Sequence, residues 1–455
     1  MTKEMTQGKP LGLILNFAWP LILGSILQQG YSLVDAAIVG HYLGLGSLAA
    51  VGASSSVIFL ILGFCNGCCG GFGIPVAQRF GARDYKEMRR YVRASLRLST
   101  VLSVCIAIIT SLLCALILRW MRTPEDIFPQ AYSYLIITFI GIPCTMFYNL
   151  LASIIRALGD SRTPFYFLIL ASVLNVLGDY LLIVGFGLGA GGAALSTLIA
   201  QAVSALMCFR YMKKHYPVLN VKDEDSKGAD WEHQKRLLAI GAPMGLQFSI
   251  TAIGSIMLQS SNNALGTACV SAFTVGMRIK MFFISPLENL GIAMATYCGQ
   301  NLGAGKIDRI KQGLWTAMIM LTVYVIVGNM IMFPMADEFA KMFVDPSQGE
   351  VIDKVVLFLH TSAPSWIFLG TLCTLRYSIQ GLGFTRLSMV SGVFEMVARI
   401  AVSLLMVPSL GFLGVSLGDP TAWVAACVFL VPAILYVYRQ VKRQADFSTR
   451  CAPSK

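Results

Sequence analysis

The sequence predicts an all-α polytopic membrane protein of twelve transmembrane helices in two parallel six-helix lobes. Three observations predict it: the composition, the spacing of the apolar runs, and an internal repeat. Of the 455 residues, 56% are hydrophobic and 13% charged. A soluble domain carries about twice that charged share to cover its surface. In lipid, by contrast, such a chain is at home once helices satisfy its backbone hydrogen bonds.

Apolar runs of about 20 residues mark the spans. Twelve lie near 13–41, 47–75, 92–118, 128–152, 163–185, 190–212, 237–261, 270–298, 311–334, 354–378, 386–407 and 415–438. The first continues to about Tyr42. It is far longer than a signal-peptide core and has no small-residue cleavage pattern, so it reads as a span of the mature protein. Pro20 there and Pro243 in span 7 leave carbonyls unbonded and favour kinks. Pro20 is therefore a candidate hinge. Span 2 carries Cys65, Cys68 and Cys69 among Gly67, Gly70, Gly71 and Gly73. The C-x-x-C spacing could be a metal or redox motif, but no second Cys/His pair is placed to complete a site. Small residues for close helix packing are the reading adopted, with no resident metal. Cys105, Cys114, Cys208 and Cys373 also fall in apolar runs, where a thiol acts as a small apolar filler.

The longest polar stretch, Lys213 to Arg236, contains KDEDSKGAD. It is read as a cytoplasmic linker at 213–236, between an N-terminal lobe at 1–212 and a C-terminal lobe with a cytoplasmic tail at 237–455. Basic residues are segregated. One set of loops holds Arg83, Lys86, Arg89, Arg90 and Arg93, then Arg156 and Arg162. It continues with Lys213, Lys214, Lys222, Lys227, Lys235 and Arg236, and later with Lys306, Arg309, Lys311, Arg376 and Arg386. The tail adds Arg439, Lys442 and Arg443, whereas the alternate loops carry only Arg119, Arg122, Lys341 and Lys354. The positive-inside rule then puts both termini in the cytoplasm, in the cell (inner or plasma) membrane. The same placement explains the net charge of +12 without nucleic acid. The lipid bilayer is the expected partner.

The halves resemble each other in order. AWP at Ala18 to Pro20 matches GAP at Gly241 to Pro243, and QRFGA at Gln78 to Ala82 matches QNLGA at Gln300 to Ala304. RALGDSR at Arg156 to Arg162 matches QGLGFTR at Gln380 to Arg386, and Pro143 and Pro364 sit in the two fourth spans. An even number of spans per copy makes the copies parallel. Transporters are often built so, although a channel or a membrane enzyme could carry a repeat.

Acids inside a span cost several kcal/mol and persist mostly at functional sites or in ion pairs. The first half has Asp35 and Asp179, without a basic residue nearby on the same helix. Each lies about six residues from the outer end of its span, roughly 9 Å deep. Gln28, Tyr31 and Asp35 share one helical face, as do Ser172, Asn175 and Asp179. Thr197 and Gln201 share a face of span 6, and Thr197 reaches a similar depth. Such a set could hold Na⁺. It could also share a proton, because two like charges in a low-dielectric setting do not both stay ionised cheaply. Two unrelated polar residues, each bonded for packing, are the bland alternative. The second half holds Arg278, Lys280, Glu288, Glu395 and Arg399. Glu395 and Arg399 are four apart and read as a structural i,i+4 pair. Glu288 either pairs with one of these cations or lines a cavity, and His360 reads as a satisfied core histidine.

Together with V-G-x-x-L-G at Val39 to Gly44 and NVLGDY at Asn175 to Tyr180, these motifs resemble the multidrug and toxic compound extrusion (MATE) family over nearly the whole chain. The resemblance implies a V-shaped pair of lobes around a central cavity, and export of organic cations and related drugs by antiport with Na⁺ or H⁺. It places the coupling site at Asp35, Asn175, Asp179 and Thr197, with Tyr31 nearby and Pro20 as the bending point. Some branches of the family carry functional acids in spans 7 and 10. Here those spans contain none, which moves the weight to the N-terminal lobe. A carrier flipping lipid-linked oligosaccharides is the alternative within the wider superfamily; it would need a strongly cationic cavity, and the first half shows no intramembrane Arg or Lys. No H-E-x-x-H, no G-x-S-x-G in a suitable setting and no phosphate-binding glycine loop points to an enzyme or to ATP-driven transport. No cofactor is expected beyond the coupling ion. The substrates would be small organic molecules, and the protein a monomer.

Overall fold

The computed structural model describes residues 4–121, 123–219 and 230–450, without the side chains at 45, 48, 49, 53, 230 and 446–450. Among these residues the chain is helical almost throughout. The spans are α1 (Pro10–Gly44), α2 (Ala50–Gly81), α3 (Tyr85–Trp120), α4 (Phe128–Ile140 and Ile142–Ala157), α5 (Arg162–Gly185) and α6 (Gly189–His215). They continue as α7 (Trp231–Asn263), α8 (Thr267–Gly303), α9 (Ile307–Lys341), α10 (Gly349–Gly381), α11 (Thr385–Leu410) and α12 (Phe412–Ala445). Eleven are long and apolar enough to cross a membrane alone, and the two pieces of α4, bent by 46°, make the twelfth.

Several helices outrun their apolar cores. α3 starts seven residues before its apolar run because Asp84 caps it, Oδ1 accepting from Glu87 N at 3.2 Å. Arg89, Arg90 and Arg93 therefore ride on helix rather than loop. The expected linker shortens likewise, with α6 running to His215 and α7 starting at Trp231. Its residues 220–229, with Lys222 and Lys227, and Arg122 lie outside the described residues.

Contacts divide the chain into two compact units, 1–4 with 19–245 and 5–18 with 246–455. The boundaries differ from the sequence halves at two places. Met5–Ala18 belongs to the second unit, and the start of α7, through Gly245, belongs to the first. The repeat has structural counterparts. The fourth span of each half is broken at its proline, at Gly141 before Pro143 and at the 3₁₀ turn Ala363–Ser365 around Pro364. The fifth span of each half turns π-helical toward its C-terminal end, at Tyr180–Gly185 and at Val402–Met406, the second followed by the α-helical turn Val407–Leu410. After QRFGA and QNLGA come Arg83 at φ 57° and Gly305 at φ 69°. The same turn thus holds a strained arginine in one half and a tolerant glycine in the other. α1 stays helical through Pro20, and the break falls at Gly44, φ 78°.

Candidate functional site

Asp35 and Asp179 meet in the first unit. Asp179 is the last α-helical residue of α5 before the π-helical stretch and is wholly buried. α5 and α6 approach closely at Gly178, where a Cβ would stand 2.6 Å from Ser196 Oγ. Ser196 Oγ donates to Asn175 O at 2.7 Å. Asn175 Nδ2 donates to Ser196 Oγ at 3.2 Å and to Thr197 Oγ1 at 3.1 Å, and Thr197 Oγ1 donates to Ala193 O at 3.1 Å. These bonds fix the amide so that Asn175 Oδ1 is left free. Across from them, α1 sets the Asp35 carboxyl against that of Asp179, with Ser196 also beside Asp179. Tyr31 bonds Gln28 and lies near Asp35.

The unmet groups are all of one kind. Asp35 Oδ1, Asn175 Oδ1, both carboxyl oxygens of Asp179, and Gln201 Oε1 on α6 are buried and lack a donor. No ion pair reaches either acid among the described residues. Buried polar atoms normally find partners, so a run of orphaned acceptors marks a place for a proton or a cation. An all-oxygen set suits a hard monovalent cation and not a soft transition metal.

Tyr134, on the first piece of α4, was not singled out in the sequence, yet it lies near Asp35, Asp179 and Tyr31. It packs beside Val39, Ile183 and Ala193. Nothing local separates this phenol from Tyr132, which is exposed. Ser172, on the Asn175 face, donates instead to Leu168 O in its own helix at 2.9 Å. Pro20 stands at the point where α1 passes from one unit to the other.

The second unit holds a different cluster, and here two readings are corrected. Arg376 is not a loop residue. It lies inside α10, 7% exposed, bonded to Glu395 and, through Nε, to Ser391 Oγ at 3.1 Å. Asp419 on α12 was not counted as intramembrane, although it joins Lys280 (2.5 Å) and Arg399 Nε (2.9 Å). Asp419 lies between Gly418 and Pro420, near the start of the span expected at 415–438, and the stretch is helix. Arg399 reaches Glu395 only at 3.6 Å, so its tighter partner is Asp419. Lys280 sits between the Phe358 and Trp423 rings, at 5.1 and 5.6 Å. Glu288 is exposed, with Arg376, Lys280 and Glu395 around it, and Arg278 is exposed too. His360 Nε2 lies 3.0 Å from Phe333 O, its ring stacked on Phe333.

The MatE family model matches residues 20–181 and 243–405. "Probable multidrug resistance protein YpnP" of Bacillus subtilis (strain 168) is 34% identical over 307 residues, 68% of each chain. "Probable multidrug resistance protein YoeA" of the same strain is 27% identical over 437 residues, 93% of each. The crystal structure of MATE in complex with MaL6 superposes with a TM-score of 0.89 at 24% identity. That likeness covers 97% of this chain and 99% of the other, and shows the fold.

Proposed function

The chain belongs to the MatE family of multi-pass membrane transporters, which are not enzymes, and from that premise we propose a secondary active antiporter. It exports amphipathic, often cationic, drugs or toxic metabolites in exchange for Na⁺ or H⁺. The acceptor-only cluster around Asp35 and Asp179 carries the reading. A buried and a half-buried carboxylate side by side without a counter-cation are costly in a low dielectric. Na⁺ held by Asp35, Asn175, Asp179 and Thr197 removes that cost, and so does a proton shared by the two acids. An ion shifts a conformational equilibrium only by its difference in affinity between the states. α1 carries Asp35, so a bend at Pro20 would alter the cluster and supply that difference. A cationic substrate drawn to the same negative charge competes with the ion, which favours exchange over co-transport.

The buried cations Lys280, Arg376 and Arg399 all have acid partners. That disfavours the lipid-linked oligosaccharide carrier, which needs free positive charge. The protein would work as a monomer in the cell membrane with both termini cytoplasmic, and without nucleic acid. The test is efflux of a fluorescent organic cation from vesicles, with the Na⁺ and proton gradients collapsed separately. Asp35→Asn should lower gradient-driven efflux by about 5- to 150-fold, the usual range of a coupling free energy, with expression intact. Full efflux in that variant, or wild-type efflux indifferent to both gradients, rejects the reading.

A further inference from the structure

Residues 5–8 are built into the second unit, whereas Glu4 before them pairs with Arg83 of the first at 3.1 Å. Met5 N donates to Gln300 Oε1 at 2.8 Å, and Met5 O accepts from Asn301 Nδ2 at 3.2 Å. Thr6 O accepts from Lys306 Nζ at 2.9 Å, and Gly8 O from Arg309 Nη2 at 2.8 Å. Arg309 Nε is itself set by Asn301 Oδ1 at 3.1 Å. Met5 and Thr6 are buried, and Gln300 and Asn301 wholly so. Chain ends usually fray unless tied down. This one is tied through its main chain, in part by cationic donors, which make the stronger hydrogen bonds. All four partners come from the segment QNLGAGKIDR at Gln300 to Arg309, which opens with the repeat motif QNLGA, and the ion site does not use it.

The tied segment leads directly into α1. The first turns of that helix, through Ala18, belong to the second unit, and the rest, from Trp19 on, belongs to the first. Pro20 stands just past the changeover and Asp35 four turns beyond it. α7 makes the reciprocal exchange. Its start belongs to the first unit, where His233 Nε2 meets Glu87 at 3.0 Å and its ring packs on Tyr91. A helix that bends does work on a body only if its end is fixed to that body. Were residues 5–8 free, bending at Pro20 would swing a loose end.

We propose that Gln300, Asn301, Lys306 and Arg309 are positioning residues for transport, clamping the end of α1 so that ion binding at Asp35 acts on the α8–α9 hairpin. The proposal rests on the export reading above, and the experiment separates the two. Hydrogen exchange of residues 4–9 is followed by mass spectrometry in the purified full-length chain, with and without Na⁺ and at two pH values. Relative to the intrinsic exchange rate at each pH, wild type should change its protection there by about fivefold on loading with Na⁺ or protons, and Asp35→Asn should not. The pair Gln300→Ala and Asn301→Ala should free the segment and lower efflux from vesicles by about fivefold or more, with binding of the fluorescent cation kept even though the melting temperature falls. Met5→Leu, which leaves the main-chain bonds in place, should retain efflux. Lys306→Ala, losing one bond, serves if the double variant does not fold. Three results overturn the clamp: exchange at 4–9 indifferent to ion loading in wild type, wild-type efflux in the freed variant, or efflux and substrate binding lost together. A wild type that does not pump rejects the export reading instead, and the exchange result then still decides whether Asp35 and Met5 are linked.

Discussion

Asp160 makes the turn between α4 and α5 a fixed corner. Its Oδ1 accepts from Arg162 N at 2.9 Å and Thr163 N at 3.1 Å, and its Oδ2 from Thr163 Oγ1 at 2.9 Å and Tyr216 Oη at 2.5 Å. Burial alone would raise this carboxyl. The bonds from Tyr216, Thr163 and Arg162 outweigh burial and hold it below the usual carboxylate range. Tyr216 is pushed up in turn, by burial and then by the Asp160 bond. A depressed carboxyl adds stability that is complete above its unfolded value, ~3.9, and is lost as pH falls through the folded value. Asp160→Asn should therefore cost about 1–3 kcal/mol at neutral pH. The gap in melting temperature should begin to narrow below pH ~3.9 and close only once pH falls beneath the depressed folded value of Asp160. A gap that stays constant into acid rejects the assignment. RALGDSR was legible as a repeat motif; that Asp160 closes on Tyr216, at the far end of α6, was not.

Among the elements, α2 and the start of α7 show how small residues set a contact. A Cβ on Gly67 would lie 2.6 Å from Met244 O, one on Gly71 2.5 Å from Gly241 Cα, and one on Gly245 2.7 Å from Phe64 O. The two backbones touch through glycines four apart on each helix, the small-xxx-small contact of membrane helices. Cys65, Cys68 and Cys69 are buried around it, and Cys69 Sγ donates to Met146 O at 3.4 Å. Gly71→Leu should force the helices apart and cost about 1–3 kcal/mol or more. Gly70→Ala, whose Cβ would meet only Met244 Cε at 3.4 Å, should cost much less. Equal melting temperatures for the two variants would contradict the contact. The glycines announced close packing in the sequence, but their partner α7 did not show. Likewise Pro143 and Pro364 announced the broken fourth spans, whereas the π-helical stretches have no residue signature.

At the scale of the whole molecule, orientation rests on the clustering of basic residues at one set of helix ends. A reporter fused after Lys455 and one placed between α2 and α3 should both read cytoplasmic, and one near Ser347, between α9 and α10, external. The opposite pattern would invert the topology and put Asp35 and Asp179 near the inner leaflet. The exchange of the first turns of α1 and α7 between units belongs to this scale as well. AWP and GAP mark the helices where it occurs. AWP does not say that the chain before it docks on the second unit, because main-chain bonds to Gln300, Asn301, Lys306 and Arg309 make that docking. GAP does not say that its helix starts in the first unit, because glycine contacts with α2 and the His233–Glu87 pair hold it there.

Composition and period decide what each helix settles alone: its solvent, its length and its backbone hydrogen bonds. The twelve spans, the repeat and the matched depth of Asp35 and Asp179 are therefore written in the chain. Which side chains meet depends on how each helix is rotated and tilted against its neighbours, and no local pattern carries that. Only the tertiary structure set the Asp35 and Asp179 carboxyls together with Tyr134 beside them, gave Arg399 to Asp419 before Glu395, and drew Arg376 into the buried charges.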